Sequence, residues 1–207
     1  ATHGGISETN AHPHFSSDRS FCLAQNGIVE NYSAIKNSLL KKGYKFETET
    51  DTAVIVRLIE DKNDGKNLKE AIRLAFLELK GRNTIILLTK DGQIIACRNG
   101  SPLVVGINSG EVFFSSDTLS FAPFVDKVIV IDNGQMVFFD GIVNIIDIKS
   151  NKSIPFHPEK IDFKTTKVDK EGYAHFMLKE IHESPYVINQ VIDGEVPKDF
   201  IKEVKKA

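Results

Sequence analysis

The hydrophobic period changes once along this chain, at Thr84, and that change limits the fold more than any other feature. Before it, apolar residues recur at helical spacing. Asn31–Lys42 reads as a helix with Ile35, Leu39 and Leu40 on one face and Gly43 in the stop position. Asp51 is an N-cap candidate for a second helix carrying Val54, Ile55, Leu58 and Ile59. Asn67 caps a third, with Leu68, Ala71, Ile72, Ala75, Phe76 and Leu79 inside and Gly81 at its end. Two short strands, Phe21–Ala24 and Tyr44–Glu47, are expected among them. After it come seven short β-branched or aromatic segments: 84–89, 93–97, 103–107, 112–115, 127–131, 135–139 and 143–148. Asp91-Gly92, Ser109-Gly110, Asn133-Gly134 and Asp140-Gly141 separate several of them, the dipeptides two-residue hairpins require. The pattern predicts an antiparallel meander. Thr84–Leu88 and Val128–Ile131 are apolar almost throughout, so the sheet should be covered on both faces. Helices grouped before strands predict an α+β fold rather than alternating βαβ units.

Charge and length remove several classes of function. The 207 residues carry 26 basic and 28 acidic side chains, a net charge of −2. Nucleic acid and anionic membrane surfaces both reward a strong basic excess, so neither is an expected partner. No apolar run approaches the roughly 18 residues of a membrane span. Cys22 and Cys97 are too few for a disulfide framework, and a reduced, cytoplasmic setting follows. Lys149–Glu171 is polar and lysine-rich and reads as a linker or surface excursion. A last helix is expected from Tyr173 to about Glu183, with Phe176, Met177 and Ile181 on one side and Pro185 interrupting it. The domain is therefore bounded at 1–183, with 184–207 as a connection to a further module.

Several side chains invite chemistry. His3, His12 and His14 crowd the first fourteen residues, and imidazole is the commonest zinc ligand. No carboxylate or cysteine stands beside them at a familiar ligand spacing, and hydrogen-bonded loop histidines are the plainer reading. Cys22 and Cys97 each lie inside an apolar segment, where a thiol is usually inert. Asp169 and Glu171 sit in a charged loop and read as solvated. No glycine-rich phosphate loop, His-Glu-x-x-His or Gly-x-Ser-x-Gly occurs. Asn26-Gly27 reads in two ways: a hairpin turn, or a carboxamide donor beside an unhindered backbone N–H able to hold an oxyanion. Asp51 likewise is either a helix cap or a counter-ion for a substrate ammonium group.

Taken together, Ala1-Thr2-His3-Gly4, Ser7–His14, Asn26–Asn31, Glu49–Thr52, Gly100–Gly106, Ser116-Asp117 and Gly172–Ile181 resemble the glutaminase domain of the glutamine–fructose-6-phosphate aminotransferases (isomerizing), the glucosamine-6-phosphate synthases. The resemblance runs from residue 1 to about 190. It implies the four-layer αββα fold of the N-terminal nucleophile hydrolases, as found in class II glutamine amidotransferases. It also implies hydrolysis of L-glutamine by an N-terminal cysteine thiolate, with that residue's own α-amino group as base and no cofactor or metal. By the resemblance, Asn26 and the Gly27 N–H match the oxyanion hole, Asp51 the carboxylate that holds the substrate ammonium, and Thr2 and His3 the pocket wall. Ammonia would then pass to an isomerase module that makes glucosamine 6-phosphate from fructose 6-phosphate, in a homodimeric full-length enzyme.

The family pattern has an Arg-Trp pair before Thr-His, and several dozen earlier residues that begin with the nucleophilic cysteine. Neither stands in these 207 residues. The fold is accordingly expected to be incomplete at its N-terminus, and glutamine hydrolysis by these residues alone is not expected. Three other readings stand beside this one: a purine-pathway class II amidotransferase, a metal-dependent hydrolase using His3, His12 and His14, and a non-catalytic glutamine-binding module.

Overall fold

The structure is a computed structural model that describes residues 4–63, 65, 67–160 and 169–192. The chain divides into two compact units, residues 1–162 and 163–207. In the first, the strands are β1 (His14–Phe15), β2 (Phe21–Gly27), β3 (Asn83–Thr89), β4 (Ile94–Asn99), β5 (Val104–Ile107), β6 (Val112–Ser115), β7 (Lys127–Val130), β8 (Gln135–Phe139), β9 (Val143–Asp147) and β10 (Glu159–Lys160). Its α-helices are α1 (Tyr32–Lys41), α2 (Asp51–Lys62) and α3 (Leu68–Glu78).

The strands form two antiparallel sheets, not one meander. Six are ordered β1-β2-β3-β4-β8-β9 and four are ordered β10-β7-β5-β6. The hairpins at Asp91-Gly92, Ser109-Gly110 and Asp140-Gly141 join paired neighbours as expected. Asn133-Gly134 does not, because it carries the chain from β7 in one sheet to β8 in the other. That crossing is tied to the β4–β5 crossing beside it. The Gly134 N–H donates to Arg98 O at 2.8 Å, and the Gly100 N–H donates to Asn133 Oδ1 at 2.6 Å. The Arg98 guanidinium donates to Ser101 O at 3.0 Å and also to Ile131 O. These bonds satisfy backbone groups at the two points where the chain leaves one sheet for the other.

Two cores explain why some strands lack alternation. On one side of the six-stranded sheet Ile85, Leu87, Ile95, Cys97 and Met136 pack with Val54, Ile55, Ile59, Ile72 and Phe76 of the helices. On the other, Ala96, Val137 and Ile145 pack with Val105 and Ile129 of the four-stranded sheet and with Ile131 just after β7. Successive residues of one strand therefore serve different cores, and both must be apolar. This unit supplies three layers, helix–sheet–sheet, in an α+β arrangement.

Local expectations fare unevenly. Asn67 caps α3, its Oδ1 accepting from Glu70 N at 3.1 Å. In α1, Ile35 and Leu39 are buried but Leu40 is exposed. Tyr44–Glu47 is irregular rather than a strand. Its chain turns back over the end of α1, with Tyr44 N–H donating to Leu39 O at 3.1 Å, and Tyr44 and Phe46 pack on the helical core as single side chains. Residues 149–160 are also more than a linker. Ile154 N–H donates to Ile145 O at 2.8 Å, Ile154 and Phe156 pack on the second core, and β10 pairs with β7.

The second unit is described over residues 169–192. Here α4 (Phe176–Ile192) runs through Pro185 instead of stopping before it. A proline removes one helical bond without forbidding the turns on either side, and the Ser184 hydroxyl donates to Glu180 O at 2.8 Å just before it. The boundary expected at 183 thus falls inside a continuous helix. Asp169 and Glu171 belong to a local turn: Glu171 N–H donates to Asp169 Oδ1 at 3.1 Å, and Glu171 pairs with Lys179 at 2.9 Å. Among the described residues no helix is long and apolar enough to cross a membrane.

Candidate active site

The candidate site forms where β1 is shorter than its neighbour. β1 pairs only with Cys22 and Leu23 of β2, so the stretch from Ala24 to Gly27 has no strand on that side among the described residues. On its other side β2 stays paired with β3 to its end, Gly27 opposite Asn83. Asn26-Gly27 is thus the last step of a strand, and the hairpin reading of that dipeptide is set aside.

Strand geometry then decides which way the Gly27 N–H points. Antiparallel pairs exchange bonds at alternate residues. Lys90 N–H donates to Ser20 O at 2.8 Å and Ile28 N–H donates to Arg82 O at 3.2 Å, so the even-numbered residues of β2 serve β3. Gly27 is odd, and its N–H is turned to the open edge. Its φ of +137° suits glycine, and a Cβ there would stand 2.0 Å from Arg82 O. The Asn26 side chain is exposed, and no partner among the described residues holds its carboxamide. Two donors, one main-chain and one side-chain, are therefore unspent at the end of β2 among the described residues.

Asp51 faces the same place from α2. It is not the cap of that helix. Thr50 is, with extended backbone and Oγ1 accepting from Ala53 N at 3.2 Å. The threonine spares the aspartate, which occupies the first turn, where the helix dipole favours an anion. Asp51 is 4% exposed, and its Oδ2 accepts from Val29 N at 2.8 Å and from Gln25 Nε2 at 3.4 Å. Asn26, Gly27 and Asp51, with His12, Gln25, Ile28 and Thr52, line one cavity of about 460 Å³. That size suits a small molecule. Thr2 and His3, expected in the pocket wall, lie outside the described residues.

Of three further lining residues, the sequence marks Gln25 and Thr52 by no chemistry of their own, and His12 only as a loop histidine or a candidate metal ligand. Gln25, Thr52 and His12 join in a hydrogen-bonded series: His12 Nε2 to Thr52 Oγ1 at 2.9 Å, Thr52 Oγ1 to Gln25 Oε1 at 2.7 Å, and Gln25 Nε2 to Asn83 Oδ1 at 2.7 Å. The position of Gln25 beside Asn26-Gly27 is the one cue that was available. His14 pairs with Thr50 Oγ1 at 2.9 Å. Burial holds the imidazoles of His12 and His14 below their ordinary pKa. The two rings stand edge to face, 5.6 Å apart, each bonded to a threonine rather than aimed at a common point. Among the described residues no three His, Cys, Asp or Glu side chains are grouped to hold a metal ion. Neither cysteine lines the cavity, and burial raises the Cys97 thiol far above its ordinary pKa.

An anion facing two unspent donors across a small cavity is suited to a substrate with a cationic end and a carbonyl that becomes an oxyanion. Comparison with known proteins identifies the family of the chain. Residues 5–122 match the model of a glutamine amidotransferase domain. The chain is 39% identical over 202 residues to the glutamine–fructose-6-phosphate aminotransferase [isomerizing] of Bacteroides thetaiotaomicron, covering 95% of this chain and 33% of that one. It is 38% identical over 210 residues to the protein of the same name from Thermococcus kodakarensis, covering 99% and 34%. The chain thus spans about a third of the length of these relatives. Among solved structures it resembles a glutamine phosphoribosylpyrophosphate amidotransferase from B. subtilis complexed with ADP and GMP, with a TM-score of 0.59 and 24% identity, covering 68% of this chain and 32% of that one. A structure described as the allosteric regulatory enzyme of purine biosynthesis gives a TM-score of 0.61 at 24% identity, covering 69% and 32%. These two show the fold: that of the N-terminal nucleophile amidotransferases.

Proposed function

We propose, for a chain that belongs to the glutamine amidotransferase domain family, that the cavity at the end of β2 binds L-glutamine and supports release of its amide nitrogen as ammonia. Asp51 holds the α-ammonium group, which selects an amino acid over a simple amide. Attack on the side-chain carboxamide places negative charge on its oxygen, and Asn26 Nδ2 and the Gly27 N–H donate to that oxygen. Collapse of the tetrahedral intermediate expels ammonia, and water then frees glutamate. The attacking group in this reading is the N-terminal cysteine of the family. One observation carries the reading: Asp51 of α2 and the two donors of β2, without partners among the described residues, line one cavity. Losing one such donor typically costs about 10²–10³-fold in kcat.

The full-length relatives carry the name glutamine–fructose-6-phosphate aminotransferase [isomerizing]. We therefore propose that ammonia released here serves conversion of fructose 6-phosphate to glucosamine 6-phosphate, in a cytoplasmic homodimer with an isomerase module. The purine-pathway alternative has weaker support, since the structures of that kind share 24% identity against 38–39% for the aminotransferases.

Calorimetric titration of the chain tests the binding step. Saturable uptake of L-glutamine, weaker uptake of D-glutamine and loss of binding in Asp51→Ala are expected. No uptake, or equal uptake of both enantiomers, overturns the assignment.

A further inference from the structure

Gln25 is half-buried beside two groups to which a role has been assigned, Asn26 and Asp51, yet it has been given none. Every polar atom of its carboxamide is engaged. Nε2 donates to Asn83 Oδ1 at 2.7 Å and to Asp51 Oδ2 at 3.4 Å, while Oε1 accepts the Thr52 hydroxyl at 2.7 Å. This orientation is fixed by its neighbours. A flipped amide would set its carbonyl against the Asp51 carboxylate and leave the Thr52 hydroxyl proton without that acceptor. Asn83, 1% exposed, is fixed in turn because its Nδ2 donates to Lys80 O at 3.3 Å, which leaves Oδ1 as the acceptor.

The direction of the series continues outward. A threonine hydroxyl has one proton, and Thr52 spends it on Gln25 Oε1. Towards His12, Thr52 Oγ1 can then only accept, so the ring nitrogen 2.9 Å away, Nε2, must carry the proton. In the neutral ring that leaves Nδ1 as an acceptor. On the aspartate side, Gln25 and the Val29 N–H both take Oδ2. Among the described residues no partner takes Oδ1, which is left for a ligand.

We propose that Gln25 is the positioning residue of this site: it commits one oxygen of Asp51 to the protein, leaving the other for the substrate ammonium, and through Thr52 it locks His12 as the Nε2–H tautomer. The positioning role rests on the reading of Asp51 given above, whereas the tautomer follows from the series alone. Gln25 touches no reacting atom in this scheme, and its effect is on the groups that do.

Long-range proton–nitrogen NMR of the histidine rings, with glutamine calorimetry on the same samples, tests both parts. The unmodified chain is expected to show His12 with Nε2 protonated and Nδ1 bare. Thr52→Ser keeps the hydroxyl and should keep that signature, whereas Thr52→Val and Gln25→Leu should each give a mixture of tautomers. Gln25→Leu should also weaken glutamine binding at least tenfold. A bare Nε2 in the unmodified chain, or an unchanged ring in both Thr52→Val and Gln25→Leu, overturns the locked tautomer. Glutamine binding that Gln25→Leu leaves intact overturns the positioning role alone. An unmodified chain that shows the tautomer but takes up no glutamine overturns the reading of the pocket, and the positioning role with it. Should Gln25→Leu fail to fold, Thr52→Val against Thr52→Ser still decides the tautomer, and Gln25→Met, which keeps the length and apolar bulk of the side chain, replaces it in the titration.

Discussion

The Val29 backbone N–H donates to Asp51 Oδ2 over 2.8 Å, joining the loop after β2 to the first turn of α2. Val29 is fully buried, so this N–H has no water to fall back on. The aspartate consequently has a structural duty as well as the proposed binding one, and two substitutions separate them. Asp51→Asn keeps an oxygen acceptor for Val29 and should cost less than about 1 kcal/mol of stability while abolishing glutamine binding. Asp51→Ala should lose binding and also about 1–3 kcal/mol, the cost of a buried donor left unsatisfied. Urea unfolding and glutamine titration of both variants check this. Equal stability of the two contradicts it.

Gly27→Ala should be among the most damaging single-methyl additions in the molecule. The new Cβ meets a backbone oxygen at 2.0 Å, and a backbone atom cannot swing aside as a side chain can. Strain at the positive φ adds to overpacking, each typically about 1–3 kcal/mol. A fall of at least about 2 kcal/mol in unfolding free energy is expected, against almost no change for Gly110→Ala, where nothing lies within 4 Å.

Stability should fall as pH drops below about 6.5. Burial lowers the folded-state pKa of His12 and His14 beneath the ordinary 6.5, so the unfolded chain binds more protons in the interval between those values. Above 6.5 both states hold neutral rings and the effect vanishes. Below the folded value both are charged and the loss is complete. His14→Gln removes one of the two groups and should flatten the slope of unfolding free energy against pH in that interval. An unchanged slope counts against the assignment.

The cysteines should differ sharply in reactivity. Cys97 is fully buried with its thiol pKa driven upward, whereas Cys22 is partly accessible. A thiol reagent at pH 8 is expected to label Cys22 in the folded chain and to reach Cys97 only as fast as the first unit opens. Labelling of both at one rate would argue against the packing of the helical core.

Much of the fold was legible because the signals that specify it are local. Asn67 reads as a cap from its neighbours alone, and Asp91-Gly92 is a hairpin turn in any sheet. The same local reading misled at Asn133-Gly134, where the dipeptide makes a crossing instead, since nothing in four residues says which strand will lie alongside. It misled again at Pro185, which the helix accommodates, and at Tyr44–Glu47, where two aromatic side chains pack without a ladder. At the site, resemblance singled out Asn26, Gly27 and Asp51, whereas Gln25 and Thr52 escaped notice and His12 stood out only as a loop histidine or a candidate metal ligand. A glutamine or threonine carries no spacing rule that marks it as part of a network.

The order of letters alone settled the period of most segments, the Asn67 cap and most of the turns, because these depend on residues within one helical turn or one hairpin. Three-dimensional packing settled which strands became neighbours, which edge of β2 was left open, and hence where the Gly27 N–H points. Those outcomes depend on burial summed over two cores. Thr50 and Asp51 are adjacent and both of capping type, and only the folded chain could assign the cap to one and leave the other a carboxylate to present.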